Sequence, residues 1–244
     1  MILAIDAGNT RIKAAVYEDN ILLSKTIFDH SEIENGFKIV FEKHPNLKKI
    51  VISSVSNLDF DTFSMLFNQY SIDFVTREHH FPFYNLYATP ETLVIYIIIL
   101  ASGAVLQYPN KNRVVIDAGT CVTFDYINAD NNYLGGAISP GLGLRYQALN
   151  QYTSKLPLLS TKYPQSNIGN STSEAIHSGV VNGLLYEVDA IVTDFKSKNN
   201  NFVIILTGGD AEFLAVRLKN TIFANSNFLL DSLVLLHNYN SKND

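Results

Sequence analysis

Ile2-Leu3-Ala4-Ile5-Asp6-Ala7-Gly8-Asn9-Thr10-Arg11-Ile12-Lys13-Ala14-Ala15-Val16-Tyr17 reads as a strand, a tight polar turn and a returning strand. An apolar run from Ile2 to Ile5 reaches Asp6, the turn Ala7-Gly8-Asn9-Thr10 reverses the chain, and Ile12, Ala14 and Val16 alternate on the way back. Such a turn suits a phosphate. Gly8 lets the backbone approach an anion, neighbouring N–H groups can point inward, and Asn9 and Thr10 add short hydrogen-bonding side chains. Asp6 suits Mg²⁺ or a water bound to it. One Asp-x-Gly-x-Thr also fits a plain hairpin, because Asp and Gly commonly end strands.

The stretch has an echo. Val114-Val115-Ile116-Asp117-Ala118-Gly119-Thr120 repeats the Ile-Asp-Ala-Gly of Ile5 to Gly8 after another apolar run, and the chain returns through Val122, Phe124 and Tyr126. Two hairpins with the same tip suggest two related halves. If they face one another, each supplies backbone donors, a hydroxyl and a carboxylate to one polyphosphate, which makes a nucleotide clamp.

Composition sets the outer limits. With 244 residues and 47% hydrophobic content, the chain can bury one large core or two smaller ones and is not a disordered protein. A net charge of -5, a pI near 5.6 and the lack of any Lys/Arg cluster argue against a nucleic-acid binder. The single cysteine, Cys121, excludes an internal disulfide framework and fits a reducing compartment. Asp6 arrives before a signal-peptide core could form, so no export signal and a cytoplasmic location are expected.

Further along, Ile21–Phe28 reads as a third strand after a turn at Asp19-Asn20, and Ser31 with Glu34 reads as a helix start whose apolar face is Ile33, Phe37, Val40 and Phe41. Lys48–Val55 and Ile72–Val75 read as strands, and Asp59–Tyr70 as a helix. His79-His80 has no third ligand at metal spacing and reads as a polar loop. From Glu91 to Tyr108 the pattern predicts a buried helix capped by Thr89 with Pro90 in its first turn, or else a buried strand. The greasy run within it is too short to span a membrane, so no membrane partner is expected. Tyr133–Ile138 reads as a strand, Leu142–Tyr152 as a helix, and Gly169-Asn170-Ser171-Thr172 as the opening of a long helix. Phe202–Leu206 delivers Gly208-Gly209-Asp210, either a simple tight turn or a place where a ribose or flat ring meets bare backbone. The apolar tail Phe228–Leu236 is expected to pack on the second half. The fold class expected is α/β, mixed sheets with covering helices.

In their order and spacing, Asp6-Ala-Gly-Asn-Thr10, Tyr87-Ala-Thr-Pro90, Asp117-Ala-Gly-Thr120 with Thr123 and Asp125, Gly135-Gly-Ala-Ile-Ser-Pro-Gly141 with Ala148-Leu149, Leu156-Pro157, Gly169-Asn-Ser-Thr172 with Ser178-Gly179, and Gly208-Gly209-Asp210 together resemble type III pantothenate kinase. The resemblance covers nearly the whole chain. It implies the acetate and sugar kinase, heat-shock ATPase and actin fold, with two similar ribonuclease H-like lobes, here divided as 1–85 and 86–244. It implies phosphorylation of pantothenate by ATP, the first step of coenzyme A synthesis, by a homodimer that needs Mg²⁺ and a monovalent cation, K⁺ or NH₄⁺. Asp6 to Lys13, including Gly8, Asn9 and Thr10, would form the first phosphate loop, with Asp6 toward Mg²⁺. Gly119 and Thr120 would contact phosphate from the second loop, with Gly208 and Gly209 at the nucleotide. Asp117 would hold the monovalent cation, and Tyr87 and Thr172 would line the pantothenate site.

One departure stands out. After the Tyr87 to Pro90 motif the family carries Gly-x-Asp-Arg, whose Asp takes the hydroxyl proton and whose Arg helps bind substrate; here the tetrad is Val94-Ile95-Tyr96-Ile97. Tyr96 stands where the base belongs, and Val94, Ile95 and Ile97 where substrate would be met. A phenol with an ordinary pKa near 10 is a poor base at neutral pH. The expectation is therefore slow or absent turnover with ATP binding retained, and the alternative function is a catalytically impaired nucleotide-binding or accessory protein of the same fold. A sugar kinase would bring a larger second lobe and an acidic base, neither evident.

Overall fold

A computed structural model describes residues 1–9, 11–55, 58–198, 200–220 and 223–242. The chain divides into two units, Met1–Gln107 together with Asn227–Asp244, and Tyr108–Ser226. This differs from the division expected at residue 85. The segment 86–107 and the C-terminal tail both belong to the first unit, because their apolar residues complete its core.

The first unit opens with β1 (Ile2–Ala7), β2 (Arg11–Glu18) and β3 (Ile21–Asp29), then α1 (Ile33–Lys43), β4 (Lys49–Ser54), α2 (Phe60–Leu66), β5 (Ser71–Phe74), the short β6 (Tyr84–Asn85) and α3 (Ile95–Gln107). Its first sheet has the order β3-β2-β1-β4-β5, antiparallel across β1–β2–β3 and parallel across β1–β4–β5. Asp19 and Asn20 carry φ of 48° and 65°, the left-handed pair that closes a two-residue hairpin between twisted strands. One face of the sheet, with Leu3, Ile5, Ala7, Ile12, Ala14 and Val16, packs on Phe37, Val40, Phe63 and Phe67 of the two helices and their ends. Gly36 lets α1 lie on the Phe28 ring, where a Cβ would come within 2.6 Å.

Helix starts depart from expectation. A 3₁₀ turn at His30–Glu32 precedes α1, which begins at Ile33 without the predicted Ser31 cap. Asp59 does cap α2, accepting the Thr62 N–H at 3.0 Å. The segment predicted as helix or strand from Glu91 is a 3₁₀ turn at Pro90–Thr92, and Leu93 (ψ 120°) interrupts it, so α3 starts only at Ile95. Thr89 makes no cap; its hydroxyl meets that of Thr92 at 2.9 Å.

The second unit contains β7 (Asn112–Ala118), β8 (Cys121–Ile127), β9 (Asn132–Pro140), α4 (Leu142–Gln151), α5 (Thr172–His177), α6 (Gly183–Lys198), β10 (Phe202–Thr207), α7 (Ala211–Ala215) and β11 (Phe223–Ala224). Within it β11, β10 and β7 are parallel, and β7, β8 and β9 are antiparallel. A π turn at Ser178–Asn182 joins α5 to α6. Val114, Ile116, Phe124, Leu184, Val188 and Leu206 meet in its core.

The chain then returns to the first unit with α8 (Phe228–Asn240). This corrects the expectation that the apolar tail belongs with the second half. Leu230, Leu233, Val234 and Leu236 cover the other face of the first sheet, against Ala4, Ala15, Tyr17, Val51, Val75 and Ile99 of α3. Gly103 makes the α3–α8 crossing close, since a Cβ there would lie 1.8 Å from Ser232 Oγ.

Candidate functional site

The first turn is built around a buried carboxylate. Asp6 is 7% exposed, and Lys13 stands opposite it on β2 with Nζ 3.4 Å from Oδ2. Burial pushes the Asp6 pKa up, and the neighbouring ammonium opposes only part of that rise. Lys13 therefore belongs to the strand rather than to the turn. Gly8 donates its N–H to the Arg11 carbonyl at 3.1 Å, so this donor is committed within the turn. The Gly8 carbonyl meets His30 Nε2 at 2.8 Å, a support the sequence did not signal because it bridges the turn to the end of β3. Asn9 is exposed at the tip. Thr10 lies outside the described residues.

The second turn is not a copy of the first. Ala7 pairs with Ile12 and Ala118 with Val122, so the first hairpin closes over one more residue than the second. Gly119 donates to the Cys121 carbonyl at 2.9 Å, and the Thr120 carbonyl accepts the Gly141 N–H at 3.0 Å. A Cβ on Gly141 would come 2.1 Å from the Gly119 oxygen, so only glycine allows this approach. The Thr120 side chain is on an exposed residue.

Asp117, the next-to-last residue of β7, lies opposite Thr207, and Gly208 after Thr207 turns at φ +96° against it. A Cβ on Gly208 would meet the Ala118 oxygen at 2.3 Å and Asp117 Oδ1 at 2.4 Å. The Asp210 N–H donates to the Ala118 carbonyl at 2.9 Å, and burial raises the Asp210 pKa. Gly209 faces open space. The second unit thus brings Asp117, Gly119, Thr120, Gly208 and Gly209 together. Asp125 lies deeper: burial raises its pKa, against hydrogen bonds from the Tyr133 hydroxyl at 2.7 Å and the Thr123 hydroxyl at 2.8 Å.

Thr172 is the exposed first residue of α5, whose cap is Ser171, accepting the Glu174 N–H at 3.3 Å. Gly169 permits the preceding loop to lie on this helix, since a Cβ would be 2.2 Å from the Ala175 nitrogen. Behind it, the buried Tyr146 hydroxyl and His177 Nδ1 are 2.8 Å apart.

The altered tetrad opens α3 in the first unit. Val94 is 41% exposed and Ile97 5%, while Ile95 and Tyr96 are half-buried. No carboxylate or guanidinium is present among the four. Arg77, which sequence reasoning missed, holds the approach: its guanidinium donates to the Pro90 carbonyl at 2.6 Å and to the Leu93 carbonyl. Tyr87 is half-buried, and its N–H donates to Asn85 Oδ1 at 3.0 Å.

Among the described residues no group of three or more His, Cys, Asp and Glu could hold a metal. His79 Nε2 lies 2.8 Å from Asp73 Oδ1, and His80 is tied through its backbone to Asn240. No helix among them is long and apolar enough to cross a membrane.

A family model described as type III pantothenate kinase matches residues 2–194. A type III pantothenate kinase of Flavobacterium johnsoniae is 55% identical over 244 residues, covering 100% of both chains. Among solved structures, a Campylobacter jejuni protein provisionally described as a Baf family transcriptional activator superposes with a TM-score of 0.66 at 20% identity, covering 98% of this chain and 99% of that one. A glucokinase from an Antarctic psychrotroph gives 0.52 at 11% identity, over 97% and 98%. These two likenesses establish the fold, that of the sugar kinases and actin-like ATPases.

Proposed function

The chain belongs to the type III pantothenate kinase family, and on that basis we propose that it transfers the γ-phosphoryl group of ATP to the primary hydroxyl of pantothenate, the first step of coenzyme A biosynthesis. The observation that carries this reading is the 55% identity to such a kinase over the entire length of both chains. A nucleotide-binding or accessory protein without turnover has nothing among these relatives to favour it.

The residues divide the work as follows. The first turn, flanked by Asp6 and Lys13 on its strands, and the Gly119–Thr120 turn are phosphate loops, with Gly8, Asn9 and Thr10 in the first and Gly208 and Gly209 beside the second. Asp6 fits Mg²⁺: Mg²⁺ commonly binds through one or two carboxylates plus substrate phosphates, which suits a lone buried carboxylate without a protein cage. Bound there, the ion would neutralise charge on the phosphates. Asp117, wedged against Gly208, offers the carboxylate for K⁺ or NH₄⁺. We assign Tyr87, Val94, Ile95 and Ile97 of the first unit, and Thr172 of the second, to contacts with pantothenate in a homodimer, and the setting is the cytoplasm.

Tyr96 stands where a carboxylate base would take the hydroxyl proton. Phosphoryl transfer relies on positioning and charge stabilisation more than on early proton removal. The replaced tetrad therefore lowers the rate without changing the reaction. The test is release of ADP that depends on pantothenate, with saturating ATP, Mg²⁺ and K⁺ and detection of 4′-phosphopantothenate. A folded protein that binds ADP yet forms no product over prolonged incubation overturns the kinase reading.

A further inference from the structure

Asp6 stands opposite Lys13 on β2 and, through the parallel pairing, opposite Ser53 on β4. Residues in register on neighbouring strands share a face. On this one Ala4, Ala15 and Val51, two residues away along each strand, pack on α8. Ser53 is 1% exposed, and its Oγ has no hydrogen-bond partner among the described residues. Ser54, on the opposite face, has its hydroxyl engaged with the Leu58 carbonyl at 2.7 Å.

A buried hydroxyl without a partner is a free-energy penalty that packing alone does not require, because alanine would fill the strand as well. The penalty falls beside the one buried carboxylate of the first turn. We propose that Ser53 is a positioning residue: its Oγ accepts a hydrogen bond from the hydration shell of the divalent cation that arrives with the nucleotide. Mg²⁺ gives up its water reluctantly and keeps several when bound. Asp6 and Ser53 then hold neighbouring points of that shell, and the orphaned hydroxyl gains its partner only in the loaded protein. The inference rests on reading the first turn as a phosphate and Mg²⁺ site.

The experiment is calorimetric titration of the full chain with ADP, with and without Mg²⁺, for the parent, Ser53→Ala and Asp6→Asn, beside melting curves without nucleotide. Ser53→Ala should melt at the same or a higher temperature, bind metal-free ADP as the parent does, and lose about tenfold of the affinity that Mg²⁺ adds, the worth of one hydrogen bond to a charged group. Full retention of the Mg²⁺ effect, an equal loss with and without Mg²⁺, or a lower melting temperature overturns the proposal. If Asp6→Asn loses the Mg²⁺ effect and Ser53→Ala keeps it, the proposal alone fails. If Asp6→Asn also keeps it, the reading of the first turn fails too.

Discussion

His237 Nδ1 lies 2.5 Å from Asp73 Oδ2, joining the last helix of the chain to the last strand of the first sheet. His79 Nε2 meets the other oxygen at 2.8 Å, so one carboxylate ties three segments.

That carboxylate makes stability depend on acid. Burial alone would raise the Asp73 pKa, but the hydrogen bonds from His237 and His79 outweigh it and hold the value below the ordinary carboxylate range. A depressed pKa contributes stability that is complete above the unfolded value and is lost as pH falls through the folded one. Asp73→Asn should cost about 1–3 kcal/mol near neutral pH, and its deficit should shrink below about pH 4. Melting temperatures across pH check this; a constant deficit contradicts it.

The two acidic-glycine turns, proposed as phosphate loops, can be tested separately. Asp6→Ala should abolish most of the gain in ADP affinity from Mg²⁺, and Thr120→Ala should weaken binding roughly 10- to 100-fold, the effect of removing a hydrogen bond to a charged group. Titration calorimetry measures both. Unchanged affinity in both variants removes the turns from nucleotide binding.

Restoring the tetrad should restore the proton acceptor. Val94→Gly, Tyr96→Asp and Ile97→Arg together should raise pantothenate-dependent ADP release by roughly 10²- to 10⁴-fold, the usual contribution of a positioned base. Ile97 is 5% exposed, so the arginine tests whether the helix start can accommodate a charge there, and a melting curve should accompany the rates. Equal turnover would mean that the proton leaves by another route.

Gly208 has no tolerable replacement. Its φ of +96° and the 2.3 Å approach to the Ala118 oxygen mean that Gly208→Ala must displace either the turn or the end of β7. Lowered melting temperature and lost K⁺ stimulation are expected together, because Asp117 lies on the same contact. Wild-type stimulation by K⁺ in a stable variant would detach Asp117 from the cation.

The strands and turns of both hairpins were legible because alternation and Asp-Gly chemistry are local signals. The echo between Asp6 and Asp117 suggested two related halves, and the alternation of strands and helices along the chain gave the α/β class. What escaped were relationships across long separations. The parallel register that puts Ser53 beside Asp6 leaves no periodic trace, and neither does the grip of Arg77 on Leu93 or of His30 on Gly8. The destination of α8 was misjudged because an apolar tail states that it is buried without stating where. The one-residue difference between the turns was likewise hidden, since both tips read Asp-Ala-Gly.

A unit assembled from residues 1–107 and the final helix cannot finish folding in the order of its synthesis. The hydroxyl of Tyr17 bonds to Asp231, 214 positions later, at 2.6 Å. Until α8 leaves the ribosome, Ala4, Ala15, Val51 and Ile99 lack the Leu230, Leu233, Val234 and Leu236 that complete their cluster. The nascent first unit therefore waits with a sticky face while the second unit, contiguous in sequence, can mature. Shortening the chain at its C-terminus would prolong that wait indefinitely, turning a transient vulnerability to aggregation into a permanent one.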